Sequence, residues 1–165
     1  MDGSETPTVR AADLAPRYAA VAAEIEAVVE GEHNLVARMA TVAAMLAESF
    51  DQFFWTGFYV VDHDRPNELV VGPYQGTLGC LRIAFGRGVC GAAAARRETI
   101  IVADVDDFPD HIACDSRSRS EIVVPVFDGA GALIAVLDID SVSPGTFSEV
   151  DARGLGEIVR RTFAG

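Results

Sequence analysis

Residues 121–140 read EIVVPVFDGAGALIAVLDID. Two runs rich in valine, isoleucine and leucine flank Gly129, Ala130 and Gly131. Such side chains pack well on a pleated surface, and a short glycine-bearing turn lets one strand fold back on the other. The stretch therefore reads as an antiparallel hairpin. Pro125 has no N–H to give a ladder, which by itself would put its strand at a sheet edge. Side chains alternate along a strand, so Asp138 and Asp140 share a face. They follow the apolar run LIAVL, where a carboxylate without a partner is costly to bury. Glu121 opens the partner strand and can approach them. Three converging carboxylates suit an ammonium group or a shared proton. A solvated cluster at the strand ends is the competing reading.

Outward from the hairpin, periodicity assigns the remaining elements. Downstream, Ser148 and Asp151 have the spacing of a capping box. They open a helix with Leu155, Ile158 and Val159 turned inward. Upstream, FFWTGFYVV from Phe53 is aromatic and β-branched, as a strand is. DHDRPN is a turn, and ELVVGPYQG and CLRIAF are two further strands. GRGVCGAAAARRE is punctuated by glycine and then rich in alanine, so a short helix is expected there. TIIVADV is a brief strand, and DDFPDHIACDSRSRS is a long polar loop. At the start, Asp13 and Pro16 open a helical stripe of Tyr18, Val21, Ile25 and Val28. A second stripe follows with Leu35, Met39, Val42, Leu46 and Phe50. Residues 1–11 read as a flexible tail and 12–165 as one domain. Strands in runs flanked by helices argue α+β with an antiparallel sheet. In the first strand Trp55, Gly57 and Tyr59 share a face, and the glycine between two aromatics suggests an open slot. Ordinary core packing competes with that reading.

The chain has 165 residues, half of them hydrophobic, enough for one domain with a core. Its formal charge is −12 and every basic residue is arginine. An acidic surface argues against nucleic acid or anionic membrane as partner. No apolar stretch approaches the roughly 18 residues of a membrane span, and the N-terminus lacks a basic-then-apolar signal pattern, so the cytoplasm is the expected location. Three cysteines, Cys80, Cys90 and Cys114, do not suggest a structural disulfide framework in a reducing compartment. Buried free thiols are the plain reading. Zinc is weaker, because His111 alone lies near a cysteine and no CxxC pair exists. Redox chemistry is the third reading. Around Cys114, the aspartates Asp107, Asp110 and Asp115 oppose a thiolate, while Arg117 and Arg119 favour one. Cys90 begins the short helix, whose N-terminus also favours a thiolate. Physical argument alone leaves the nucleophile open between the two.

The segments WTGFYVV, LVVGPYQG, GCLRIAFGRGVCG, HIACDSRSRSEIVVPV and VLDIDS together resemble the free methionine-R-sulfoxide reductases, a family of GAF-domain enzymes. The resemblance spans about residues 12–163. One departure, a slightly longer turn at DHDRPN, lies away from the motifs. The resemblance implies a GAF-like domain. Its central antiparallel sheet would have about six strands, with the N- and C-terminal helices on one face and the active site on the other. It implies that Cys114 is the nucleophile, Cys80 the resolving thiol and Cys90 an auxiliary or alternative resolving thiol. It matches Trp55 and Tyr59 to an aromatic pocket, and Glu121, Asp138 and Asp140 to the pocket carboxylates.

The implied reaction is thiol-dependent reduction of free methionine-R-sulfoxide to methionine. Glu121 and Asp140 would protonate the departing oxygen, with Asp138 in support. A sulfenic acid on Cys114 would condense with Cys80 to a disulfide, which thioredoxin, regenerated from NADPH, would reduce. No metal or bound organic cofactor is expected. A carboxylate paired with the substrate ammonium would select the free amino acid over methionine within a chain. A homodimer is compatible with the sequence, and residues 104–120 are the segment expected to move. The alternative is a non-catalytic GAF sensor for a small ligand such as a cyclic nucleotide, a ligand that an acidic pocket disfavours.

Overall fold

The computed structural model describes residues 11–112 and 114–165. The expected tail lies outside the described residues, except Ala11, which already belongs to the first helix. Helices α1 (Ala11–Val29) and α2 (Leu35–Ser49) are followed by strands β1 (Trp55–Val61), β2 (Glu68–Gln75) and β3 (Arg82–Ala84). Helix α3 (Gly88–Arg96), strand β4 (Ile100–Val102) and a 3₁₀ turn at Val105–Asp107 come next. Strands β5 (Ser120–Phe127) and β6 (Leu133–Ser141) and helix α4 (Glu149–Phe163) complete the order. The six strands among the described residues form one antiparallel sheet, ordered β3-β2-β1-β6-β5-β4.

The hairpin of 121–140 lies inside this sheet, not at its margin. β4 covers β5 only as far as the pair Ile100–Val123. Pro125 lies beyond it, where no ladder on that side needs its missing N–H. A second proline, Pro73, sits where β2 slips register against β1, between the pairs Gly57–Tyr74 and Tyr59–Val71. That is a bulge, the other place a strand accepts proline.

One face of the sheet carries Phe58, Ile122, Val124, Val126, Leu137 and Ile139. Helices α1, α2 and α4 cover it with their buried stripes. In α1 the stripe is Tyr18, Val21, Ala22, Ile25 and Val29. Val28, expected on it, is 62% exposed, because 3.6-residue periodicity carries the line from Ile25 to Val29. The capping box forms: the Ser148 N–H donates to Asp151 Oδ2 at 2.8 Å. The buried Tyr18 hydroxyl donates to Asp151 Oδ1 at 2.6 Å. One carboxylate thus caps α4 and fastens it to α1.

The opposite face is smaller. Trp55, Tyr59, Val123 and Val136 pack there with Ile83 and with Val89, Cys90 and Ala93 of α3. Gly91 lets α3 close on the sheet margin, since a Cβ there would strike the Ala84 carbonyl. This face, remote from the three long helices, carries the polar cluster.

Candidate active site

Strand register assembles the cluster. Asp140 of β6 is directly opposite Trp55 of β1 on one side and Glu121 of β5 on the other. The next row on the same face holds Gly57, Asp138 and Val123. Three carboxylates therefore lie on two adjacent rows of one face. Glu121 is 5% and Asp138 6% exposed. Burial pushes the Glu121 carboxyl up to about 8, with the charge of Asp140 adding and a hydrogen bond with Asp138 opposing. Asp138 is held well above the ordinary carboxylate range by burial, then by the charge and hydrogen bond of Glu121, while a bond from Cys90 acts the other way. Asp140 is also raised, by burial and then by Asp138 and Asp115. Like charges this close cannot all ionise in a dry pocket, so the cluster retains protons near neutral pH. Asp138 Oδ1 is buried and finds no hydrogen-bond partner among the described residues. A ligand N–H would satisfy it.

The aromatic wall departs from the expected slot. A Cβ on Gly57 would collide with Tyr74 Cβ, so the space beside the glycine holds Tyr74 of β2. Trp55 stacks on both Tyr74 and Tyr59, with centroids 4.9 and 5.7 Å apart. The Trp55 indole N–H donates to the Thr77 carbonyl at 2.8 Å, which anchors the ring. Gly79 is pressed against it, since a Cβ there would lie 2.9 Å from Trp55 Cζ2 and 3.1 Å from the Tyr59 hydroxyl.

Above the carboxylates runs the loop before β5. Cys114 on this loop and Cys80 before β3 are joined by a disulfide, with Cα atoms 5.7 Å apart across 34 residues of sequence. Cys114 is exposed and Cys80 half-buried. Arg87, at the N-terminal boundary of α3, donates twice to Asp110 at 2.6 and 3.0 Å. The Thr77 hydroxyl donates to Asp115 at 2.8 Å. His111 reaches down, its Nε2 3.3 Å from Glu121 Oε2. Burial lowers the His111 pKa, opposed by Asp106. With Glu121 raised and His111 lowered, both groups favour their neutral forms near pH 7, and the contact is a close approach, not an ion pair.

The GAF domain family model matches residues 32–161. Free methionine-R-sulfoxide reductase of Escherichia coli is 42% identical over 86% of this chain and 84% of its own length. The Saccharomyces cerevisiae protein of the same name is 37% identical over 82% of this chain and 77% of its own. The chain belongs to the free methionine-R-sulfoxide reductase family. In three dimensions it superposes on the Neisseria meningitidis free methionine-R-sulfoxide reductase, solved in complex with its substrate. The TM-score is 0.86 at 52% identity, covering 94% of this chain and 91% of that one. The family's members are oxidoreductases built on the GAF fold. The antiparallel α+β domain here, with three helices on one face, is that fold.

Of the residues singled out in the sequence, Trp55, Tyr59, Cys90, Cys114, Glu121, Asp138 and Asp140 line one pocket, and Cys80 is bonded to Cys114. The two candidate nucleophiles separate sharply. Cys90 is buried, and burial followed by the charges of Asp138, Glu121 and Asp140 pushes its thiol far up. That outweighs the fractional charge of a helix N-terminus. The Cys90 S–H donates to Asp138 instead. Cys90, Glu121 and Asp138 offer donor atoms within 4.8 Å of one another. All three favour their protonated forms, the reverse of what a metal requires.

The arginines expected to promote a Cys114 thiolate are engaged elsewhere. Arg117 donates to Asp115 at 2.8 Å and stacks over Phe54. Arg119 lies 3.6 Å from Asp104. Sequence reasoning considers His111 only as a zinc ligand and misses its contact with Glu121. It misses Thr77 and Tyr74 altogether. Nothing in the local pattern marks any of these, because each reaches the site from a different segment.

Proposed function

We propose that the protein reduces free methionine-R-sulfoxide to methionine, with Cys114 as nucleophile and Cys80 as resolving thiol. The observation that carries this reading is a Cys80–Cys114 disulfide beside a pocket lined by the carboxyls of Glu121, Asp138 and Asp140. In the first step the Cys114 sulfur attacks the sulfoxide sulfur. Protonation of the oxygen by Glu121, with Asp140 in support, lets the S–O bond break. The net products are methionine and a Cys114 sulfenic acid. The Cys80 thiol then attacks that sulfur, water leaves, and the disulfide forms. Two electrons and two protons from a dithiol such as thioredoxin, itself regenerated from NADPH, restore both thiols. The protein's own residues supply these steps without a bound cofactor. A cytoplasmic setting, where thioredoxin is reduced, fits that demand.

The ammonium of a free amino acid suits Asp138, whose Oδ1 lacks a partner, and the methyl group suits the Trp55 face. The test compares kcat/KM for free and N-acetylated methionine-R-sulfoxide with dithiothreitol as reductant. The ammonium draws Asp138 into its ionised form as it binds; acetylation removes the ammonium and leaves that buried charge without a partner, a loss of roughly 3–5 kcal/mol. The free substrate is therefore expected to win by about a hundredfold or more, and Asp138→Asn should narrow the gap. Equal values would remove the ammonium pocket from this reading. Failure to form methionine from either compound would overturn the reductase reading and favour a sensor.

A further inference from the structure

His111 has no part in the chemistry above, yet it is the one histidine in the pocket, and it touches the group proposed as the acid. It lies three residues before Cys114 on the same loop. Its side chain is 13% exposed, and its Nε2 lies 3.3 Å from Oε2 of a Glu121 side chain that is itself 7% exposed. From this geometry we infer that His111 is a positioning residue for Glu121: its Nε2–H donates to Oε2, leaving the acidic proton on Oε1 to face the sulfoxide. This rests on Glu121 acting as the proton donor.

The chemistry of the contact supports that arrangement. A carboxylic acid can carry its proton on either oxygen and turn it to either side. A donor fixed on Oε2 makes that oxygen the acceptor and so places the proton on the other. When the proton leaves for the departing oxygen, the same N–H faces a carboxylate, and a hydrogen bond to a charged acceptor is the stronger one. The donor therefore helps more after proton transfer than before it, which lowers the barrier. The other groups facing Glu121 cannot substitute. Asp138 and Asp140 of β6 are carboxyls that hinder ionisation, and the Cys90 thiol of α3 donates to Asp138. Asp106, beside His111, favours a charged imidazole, but burial outweighs it. Because His111 and Cys114 share a loop, the donor is delivered with the sulfur. That loop is held in this disulfide-bonded state by the Arg87–Asp110 and Thr77–Asp115 contacts.

The test uses His111→Leu, which keeps bulk without a donor, and His111→Gln, whose amide N–H reaches about as far as Nε2. With dithiothreitol as reductant, His111→Leu should lower kcat about tenfold or more with little change in KM, a part of the usual contribution of general acid catalysis. Losing a donor destabilises the carboxylate, so the alkaline limb of the kcat/KM profile should move upward by about one pH unit. His111→Gln should restore most of kcat and return the limb. A merely structural histidine would lower thermal stability without moving the limb. A parental kcat and an unmoved limb in His111→Leu would overturn the proposal. Should the wild type prove inactive, NMR titration of 13C-labelled glutamate still decides it. The Glu121 carboxyl should titrate higher in His111→Leu than in the wild type, and coincident curves would sink the inference.

Discussion

Cys90 and Cys114 line the same pocket under opposite conditions. Cys90 is enclosed with three carboxyls and kept as a thiol, whereas Cys114 is exposed on a loop and bonded to Cys80. Exposure and sulfur–sulfur proximity, not helix position, separate a redox cysteine from a packing one. Cys114→Ser is therefore expected to abolish turnover while leaving the far-UV spectrum and melting temperature close to those of the reduced wild type. Cys80→Ser should complete one turnover, measured as one methionine per protein, and then stall with thioredoxin as reductant. Peptide mapping of the reacted wild type should find the Cys80–Cys114 link. A Cys90–Cys114 link in its place would exchange the roles of Cys80 and Cys90. Substantial activity in Cys114→Ser would end the nucleophile assignment.

Two glycines two residues apart on α4 separate packing from propensity. A Cβ on Gly154 would collide with the ring of Tyr18, whereas one on Gly156 meets nothing within 4 Å. Gly154 lets α1 approach closely enough for Tyr18 to reach Asp151. Gly154→Ala should destabilise by about 1–3 kcal/mol, the usual cost of overpacking a close contact. Gly156→Ala should stabilise by about 0.4–1 kcal/mol, because alanine is the better helix former and narrows the unfolded ensemble. Denaturant unfolding of the two variants measures both signs. Matching effects would mean that the α1–α4 contact does not depend on Gly154. The capping box of this helix was readable from Ser148 and Asp151, since a cap is a local pattern. The need for glycine at 154 was not, because the residue it accommodates is 136 positions earlier in the sequence.

The molecule as a whole is acidic outside and acidic within, but the two populations respond to pH in opposite directions. Hydrogen bonds from Arg160, then Arg161, hold Glu157 down to about 2, and Arg117 similarly lowers Asp115. Such groups contribute stability above their unfolded pKa, near 4, and lose it as pH falls through the folded value. The pocket carboxyls are raised on folding, Glu121 from 4.5 to about 8. Their contribution is fully present below the unfolded pKa and is lost as pH rises through the folded one. Between about pH 5 and 8 the unliganded, reduced protein should therefore grow less stable with rising pH, and repulsion within a net charge of −12 adds to the trend. Melting temperatures across that range should fall, and Glu121→Gln should flatten the slope. An unchanged slope in the variant would show that Glu121 is not the titrating group.

Local patterning determined a great deal of this protein. Period-2 runs, the Gly129–Gly131 turn and the helical stripes, with glycine and alanine at the short helix, marked the six strands and four α-helices but not the 3₁₀ turn at Val105–Asp107, because backbone geometry dictates the regular spacings. The pairing of Asp138 with Asp140 on one face follows from the same rule. Tertiary structure decided what those elements meet. Pro125 sits in an inner strand because β4 stops short of it, and Val29 takes the buried place expected of Val28. The supposed slot at Gly57 is filled by Tyr74, brought alongside by the β1–β2 pairing. The choice between Cys90 and Cys114, and the contact of His111 with Glu121, depended on burial and on distances between segments far apart in the chain. Local periodicity carries neither quantity, since the desolvation and charge that set a thiol's or carboxyl's behaviour come from whichever residues the fold places around it.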